Sequence, residues 1–176
     1  MAALFSALIC IATFFITVGA PVAGGYINIG DCFVFAAIIV LPKGYSMLAA
    51  GIGSALADLI GGHAIYAPAS FVIKALMALA AWLIYSKSKK KIFSKAVASF
   101  AAEIIMCAGY FAYEALILGY GLGAAGNLIP NAIQAVFGII LSVILASAFE
   151  KSKIISNQKK HIFDRKYVIP IEITYF

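Results

Sequence analysis

Apolar residues occupy this chain in long runs, and polar residues fall mostly in the short stretches between them. Such runs suit neither a half-buried strand, which alternates with period two, nor a surface helix with a single apolar stripe. Six apolar segments stand out, at residues 2–18, 31–41, 45–60, 68–85, 94–118 and 128–149. A helix needs about 20 such residues to cross roughly 30 Å of hydrocarbon. The last two segments reach that length, the first and fourth come close, and the second and third are short. Pro42-Lys43-Gly44 between the short pair reads as a tight turn. The pattern predicts an all-α integral membrane protein: a six-transmembrane-helix bundle over residues 1–150, followed by a basic tail over 151–176.

Composition agrees, with 64% apolar and 11% charged residues and a mean hydropathy of +1.04. Charge then adds an orientation. Basic residues gather at Lys87, Lys89, Lys90, Lys91 and Lys95, and again from residue 151 to 166. Lys and Arg are retained on the cytoplasmic side during insertion. If all six segments cross, both termini are cytoplasmic, and of the 13 Lys and Arg only Lys74 lies away from that face. Should the second segment fail to cross, the N-terminus and Lys43 move outside and the large clusters stay put. The outer loops are then 19–30, 61–67 and 119–127. A net charge of +6 suggests nucleic acid in a soluble protein. Here the cations flank apolar spans, so they read as topology signals and contacts to anionic lipid, with no nucleic-acid partner. Cys10, Cys32 and Cys107 stand singly, which argues against a disulfide framework or a zinc site. The N-terminal run lacks a basic leader and is read as a retained span.

Polar groups inside the spans are the candidate chemistry. An ionisable side chain at mid-bilayer costs about 2.5–3.5 kcal/mol on insertion scales, so it asks for a partner or a cavity. Lys74 lies six residues after Pro68, roughly 9 Å along a helix. Asp58, near the outer end of the third span, is its expected partner across the 61–67 loop. Asp31 and Glu114 also fall at outer ends, and Glu103 lies deeper. A buried ion pair that locks the third and fourth helices competes with a polar pocket opening outward. Asn127, Asn131 and Gln134, spaced i, i+4, i+7, share one helical face. Carboxamides both donate and accept without charge, which suits a neutral, heteroatom-rich ligand. Interhelical bonding is the plainer use of the same groups. Tyr26 and Asn28 follow the paired Gly24-Gly25, and His63 with Tyr66 supplies similar groups from the next outer loop. Three outer segments thus offer rings and amides, which predicts an outward-facing ligand pocket. Ala3-xxx-Ala7, Gly53-xxx-Ala57 and Gly138-xxx-Ser142-xxx-Ala146 permit close helix approach.

No GxxxxGK[ST] loop occurs, so ATP is not bound through a P-loop. His63 and His161 both lie outside the spans, and no paired-Asp motif suggests group transfer. The chain is not expected to be an enzyme.

Residues 3–79 resemble the substrate-binding S components of energy-coupling factor (ECF) vitamin transporters. The resemblance rests on Ala3-Leu4-Phe5-Ser6-Ala7-Leu8 and on Gly24-Gly25-Tyr26-Ile27-Asn28-Ile29-Gly30-Asp31. It continues through Gly51-Ile52-Gly53-Ser54-Ala55-Leu56-Ala57-Asp58-Leu59 and from Tyr66-Ala67-Pro68 to Lys74. It extends over the bundle to about residue 150, and the tail has no counterpart in it. It implies a multi-pass protein of a bacterial cell membrane that captures a water-soluble vitamin or precursor. The ligand would lie beneath the loop after the first helix, among the outer ends of helices four to six. Tyr26, Asn28, Asp31, Tyr66, Lys74, Glu114, Asn131 and Gln134 are the candidate substrate contacts, and no metal ligands or cofactors are expected. The family implies that ATP is hydrolysed by two partner ATPase subunits, joined through a transmembrane T component that meets Ala3 and Ala7. The Tyr-Ile-Asn-Ile-Gly-Asp form most resembles the pyridoxine or hydroxymethylpyrimidine branch, with riboflavin or another vitamin as the alternative. Two other classes compete: a stand-alone secondary carrier or channel using Asp58, Lys74 and Glu103, and a structural membrane protein without a ligand.

Overall fold

The computed structural model describes residues 1–19, 26–87 and 92–151. The Gly24-Gly25 pair, Lys89, Lys90 and Lys91, and the tail beyond residue 151 lie outside the described residues, as does the side chain of Tyr26. Among the described residues six α-helices form: α1 (Ala2–Phe15), α2 (Gly30–Val40), α3 (Lys43–Ile60), α4 (Ala67–Lys87), α5 (Ile92–Ala112) and α6 (Leu128–Lys151). Each answers to one apolar segment of the sequence. The three cysteines are free.

The connections depart from plain loops. α1 stops at Phe15 because Ile16-Thr17-Val18 is a β-branched run that favours extended backbone. Strands β1 (Thr17–Gly19) and β2 (Tyr26–Asn28) pair antiparallel, with Thr17 opposite Asn28 and Gly19 opposite Tyr26. α5 runs on into a π-helical turn, Tyr113–Ile117, and a 3-10 helix, Gly121–Asn127, leads into α6.

Around the bundle α1 packs on α3, α3 on α4, α4 on α5, α5 on α6, and α6 on α2, which returns to α1. α2 also touches α3 and α4, and all its residues but Phe33 and Ile39 are buried. A helix apolar on every side belongs inside. With 11 residues it is about 16 Å long, half the hydrocarbon thickness, and too short to cross alone. α1, α3, α4 and α6 pack against it. α4, α5 with its π-turn, and α6 with the preceding 3-10 helix are each long and apolar enough to cross a bilayer. Leu76, Phe100, Ile104, Ile140 and Ile144 stand exposed on their outer faces, as lipid contact requires.

Between helices in lipid, close packing replaces the hydrophobic effect. Gly53 on α3 illustrates it: an added Cβ would stand 2.6 Å from the Ser6 carbonyl oxygen of α1. At the basic end Lys95 is 2% exposed, and its amine donates to Ser147 Oγ of α6 at 3.1 Å. At the same end Lys43 lies 5.8 Å from the Trp82 ring centroid.

Candidate functional site

Four elements meet around Asp31, in the first turn of α2, at the hairpin end of the bundle. Lys74 Nζ of α4 is ion-paired and hydrogen-bonded to Asp31 Oδ1. Gln134 Nε2 of α6 donates to Asp31 Oδ2 at 2.7 Å. Gln134 Oε1 accepts from the Asn28 backbone amide at 2.8 Å and from Asn28 Nδ2 at 3.3 Å. Asn28 Oδ1 in turn accepts from the Gly30 amide at 2.9 Å. One continuous network therefore runs from α4 through α2 and α6 to strand β2. All four side chains are buried, so each polar atom needs the partner it has. The Lys74 amine also lies 5.8 Å from the Tyr110 ring centroid, and the Tyr110 hydroxyl is 2.7 Å from Ser70 Oγ.

The expected pairing of Lys74 with Asp58 is corrected: the ion pair ties α4 to α2, not to α3. Depth explains the exchange. Asp58 lies two residues before the end of α3, whereas Lys74 lies seven residues into α4. α2 begins inside the bundle, with Gly30, Asp31 and Cys32 all buried, so its first turn reaches the lysine.

A second cluster lies at the same end, around Glu114. Glu114 Oε1 accepts from the Tyr66 hydroxyl at 3.2 Å and from Asn127 Nδ2 at 2.9 Å. The Tyr66 ring centroid is 5.8 Å from that of Tyr113 and 6.5 Å from that of Tyr110. Tyr113 donates to the Ile65 carbonyl. Tyr113 and Glu114 open the π-turn, which Leu118 N closes on the Tyr113 carbonyl at 3.0 Å. Such a turn widens the helix locally and leaves Glu114 2% exposed. Burial first, and the Glu114 carboxylate next, push the Tyr66 phenol above its ordinary pKa, so it stays a neutral donor. Glu114 Oε2 and Asn127 Oδ1 are buried with no hydrogen-bond partner among the described residues.

The fold thus brings rings, amides and two carboxylates together in two buried polar clusters at the hairpin end of the bundle. Residues 1–151 match the family model of the ECF-type riboflavin transporter, S component. The chain belongs to that family. It is a transport family, and this S component is a helical membrane protein of the ECF vitamin-uptake type. It is 28% identical over 134 residues to an uncharacterised protein of Pyrococcus woesei, covering 76% of this chain and 88% of the relative. It is also 25% identical over 138 residues to the thiamine precursor transporter HmpT of Lactococcus lactis, covering 78% of each chain.

Within this S component the sequence candidates divide. Asn28, Asp31, Lys74 and Gln134 form the first network, and Tyr66 and Glu114 the second. Asn131 is half-buried and joins neither. Tyr26 contributes its backbone to β2. Ala3 and Ala7 are exposed on α1, where with Ser6, Cys10, Leu48 and Ile52 they line an apolar groove of about 570 Å³ against α3. Tyr110, Tyr113 and Ser70 were not among the candidates. A signal for them exists: Ser70 stands four residues before Lys74, and Glu103, Tyr110 and Glu114 follow at i, i+7, i+11 along one helical face.

Proposed function

We propose that this S component captures a small hydroxylated heteroaromatic vitamin or precursor, pyridoxine or hydroxymethylpyrimidine, at its hairpin end. The observation that carries this reading is the Glu114 cluster. Two buried acceptors, Glu114 Oε2 and Asn127 Oδ1, have no donor among the described residues, next to the Tyr66 and Tyr113 rings. A flat ring with N–H or O–H groups on its edge satisfies both acceptors while stacking on an aromatic face. The likeness to a thiamine precursor transporter supports the same ligand class. A second reading, riboflavin, is favoured by the description of the matching family.

Delivery follows from the family. The hairpin end faces outward and both termini face the cytoplasm, by the positive-inside rule. A T component docks on the Ala3 and Ala7 groove, and two ATPase subunits supply the energy.

The test is to purify the protein in detergent, denature it and identify the released small molecule by mass spectrometry, then titrate the stripped protein with a vitamin panel. A stoichiometric pyridine or pyrimidine supports the proposal. A flavin replaces the substrate and leaves the family role intact. No retained molecule and no binding from the panel would sink ligand capture, and substrate flux in liposomes without partner subunits would establish the carrier reading instead.

A further inference from the structure

Beside the ion pair, α2, α4, α5 and α6 border a small polar cavity. Asp31, Ser99, Glu103 and Ser142 line it, with Phe35 and Met77 among its apolar walls. Glu103 is 4% exposed, and Ser99 and Ser142 are each 2% exposed. Glu103 Oε2 and Ser99 Oγ are buried with no hydrogen-bond partner among the described residues. Ser99 and Glu103 stand i, i+4 on one face of α5, yet these two atoms do not bond each other. Nor does the Ser99 hydroxyl turn back to the carbonyl four residues earlier, a common resort of a serine inside a helix. Glu103 Oε1 rests against α6 at Gly138, where an added Cβ would collide with it.

Two buried polar atoms facing one space without partners are costly, and the size of the space narrows what can serve them. The cavity is about 10 Å³, close to the least that holds one water. Water also fits the chemistry. It donates and accepts, so it pairs with Glu103 either as an acid with an O–H to give or as a carboxylate with lone pairs to fill. Lys74 is already paired with Asp31, so no charge here calls for an ion. We propose that this cavity is a binding site for one ordered water, held by Glu103 and the hydroxyls of Ser99 and Ser142 beside Asp31. Three partners are typical of a buried water. The network around Asp31 draws side chains from α4 and α6 and none from α5, and α5 is not among the helices packed closely on α2. The water supplies that link, joining α5 to the first turn of α2. The site stands apart from the Glu114 cluster and does not depend on which vitamin binds there.

Ser99→Ala in the full chain, unfolded thermally in detergent at fixed pH, tests the site by the sign of its effect. Ser86→Ala is the reference, because it makes the same change of helix propensity at an exposed position of α4. In a dry cavity the Ser99 hydroxyl is an unpaired buried group, and its removal stabilises. With water bound, the change takes away one of the water's hydrogen bonds, and the midpoint falls a few degrees below that of Ser86→Ala. A midpoint equal to or above the reference overturns the proposal. The deficit should be the same in sodium chloride and in choline chloride at equal ionic strength. A deficit that disappears in choline makes the occupant an ion and overturns the water. Should Ser99→Ala fail to fold, a crystal structure of the wild type grown without sodium reads occupancy directly. A density peak within hydrogen-bonding distance of Glu103 Oε2 and Ser99 Oγ supports the site. An empty cavity, at a resolution that shows ordered water elsewhere on the protein, overturns it.

Discussion

Lys74 and Asp31 stabilise the bundle only as a pair. Removing one partner of a buried ion pair strands the other, at a cost of about 3–5 kcal/mol, whereas replacing both with apolar groups is often near neutral. Asp31→Leu should therefore lower the unfolding midpoint sharply, and the double variant Asp31→Leu/Lys74→Met should recover most of the loss. A double-mutant cycle read by thermal unfolding in detergent checks this. Near-additive effects of the two single changes would mean that the pair contributes no coupling. At this scale the sequence was informative about which residues, and less about which partners. Lys74, Asp31, Glu114 and Gln134 are conspicuous because the bilayer makes isolated polar groups expensive. The pairing of Lys74 with Asp31 spans 43 residues of chain, and no local periodicity encodes a contact of that separation. Asn127 ends the 3-10 helix and Gln134 lies in α6, and they serve two different carboxylates.

The long helices are legible element by element, because 3.6-residue geometry and bilayer thickness both constrain apolar runs. The short elements are not. Strands of three residues offer too few positions for a period of two to emerge, so the hairpin reads as a glycine-rich loop. The π-turn has no compositional mark at all. Its role is nevertheless testable. Deleting Leu116, which is 79% exposed, removes the extra residue of the turn and lets Tyr113–Ile117 close as ordinary α-helix. Glu114 then loses its alignment with Tyr66 and Asn127. Affinity for the ligand found by mass spectrometry should fall at least tenfold, or about 1.4 kcal/mol, while the unfolding midpoint moves by only a few degrees. Calorimetric titration beside a melting curve separates the two effects, and unchanged affinity would detach the π-turn from the site.

At the scale of the whole molecule, the polar clusters and the apolar groove of α1 and α3 occupy different regions. The two polar clusters lie at the hairpin end, and the Ala3 and Ala7 groove lies on the outer face of α1 and α3. Ala3→Trp with Ala7→Trp fills that groove without touching Asp31 or Glu114. Transport by the assembled importer should be lost, with ligand affinity within twofold of wild type. Uptake assays and equilibrium titration on the same variant read the two quantities. Loss of binding along with transport would contradict the division. The sequence indicated the number of helices and their apolar character. It did not reveal that α2 is almost wholly buried against α1, α3, α4 and α6, because its continuous apolar run has the same appearance as a short crossing.

That inner position bears on how the protein is made. Asp31 leaves the ribosome long before its partners, with Lys74 43 residues later and Gln134 103 residues later. At roughly 5–20 residues per second, about 5–20 s pass between synthesis of the carboxylate and of the amide that completes its shell. During that interval α2 is too short to remain in the bilayer by itself and carries an acid without its counter-ion. Its polar shell is complete only once α4 and α6 have been made.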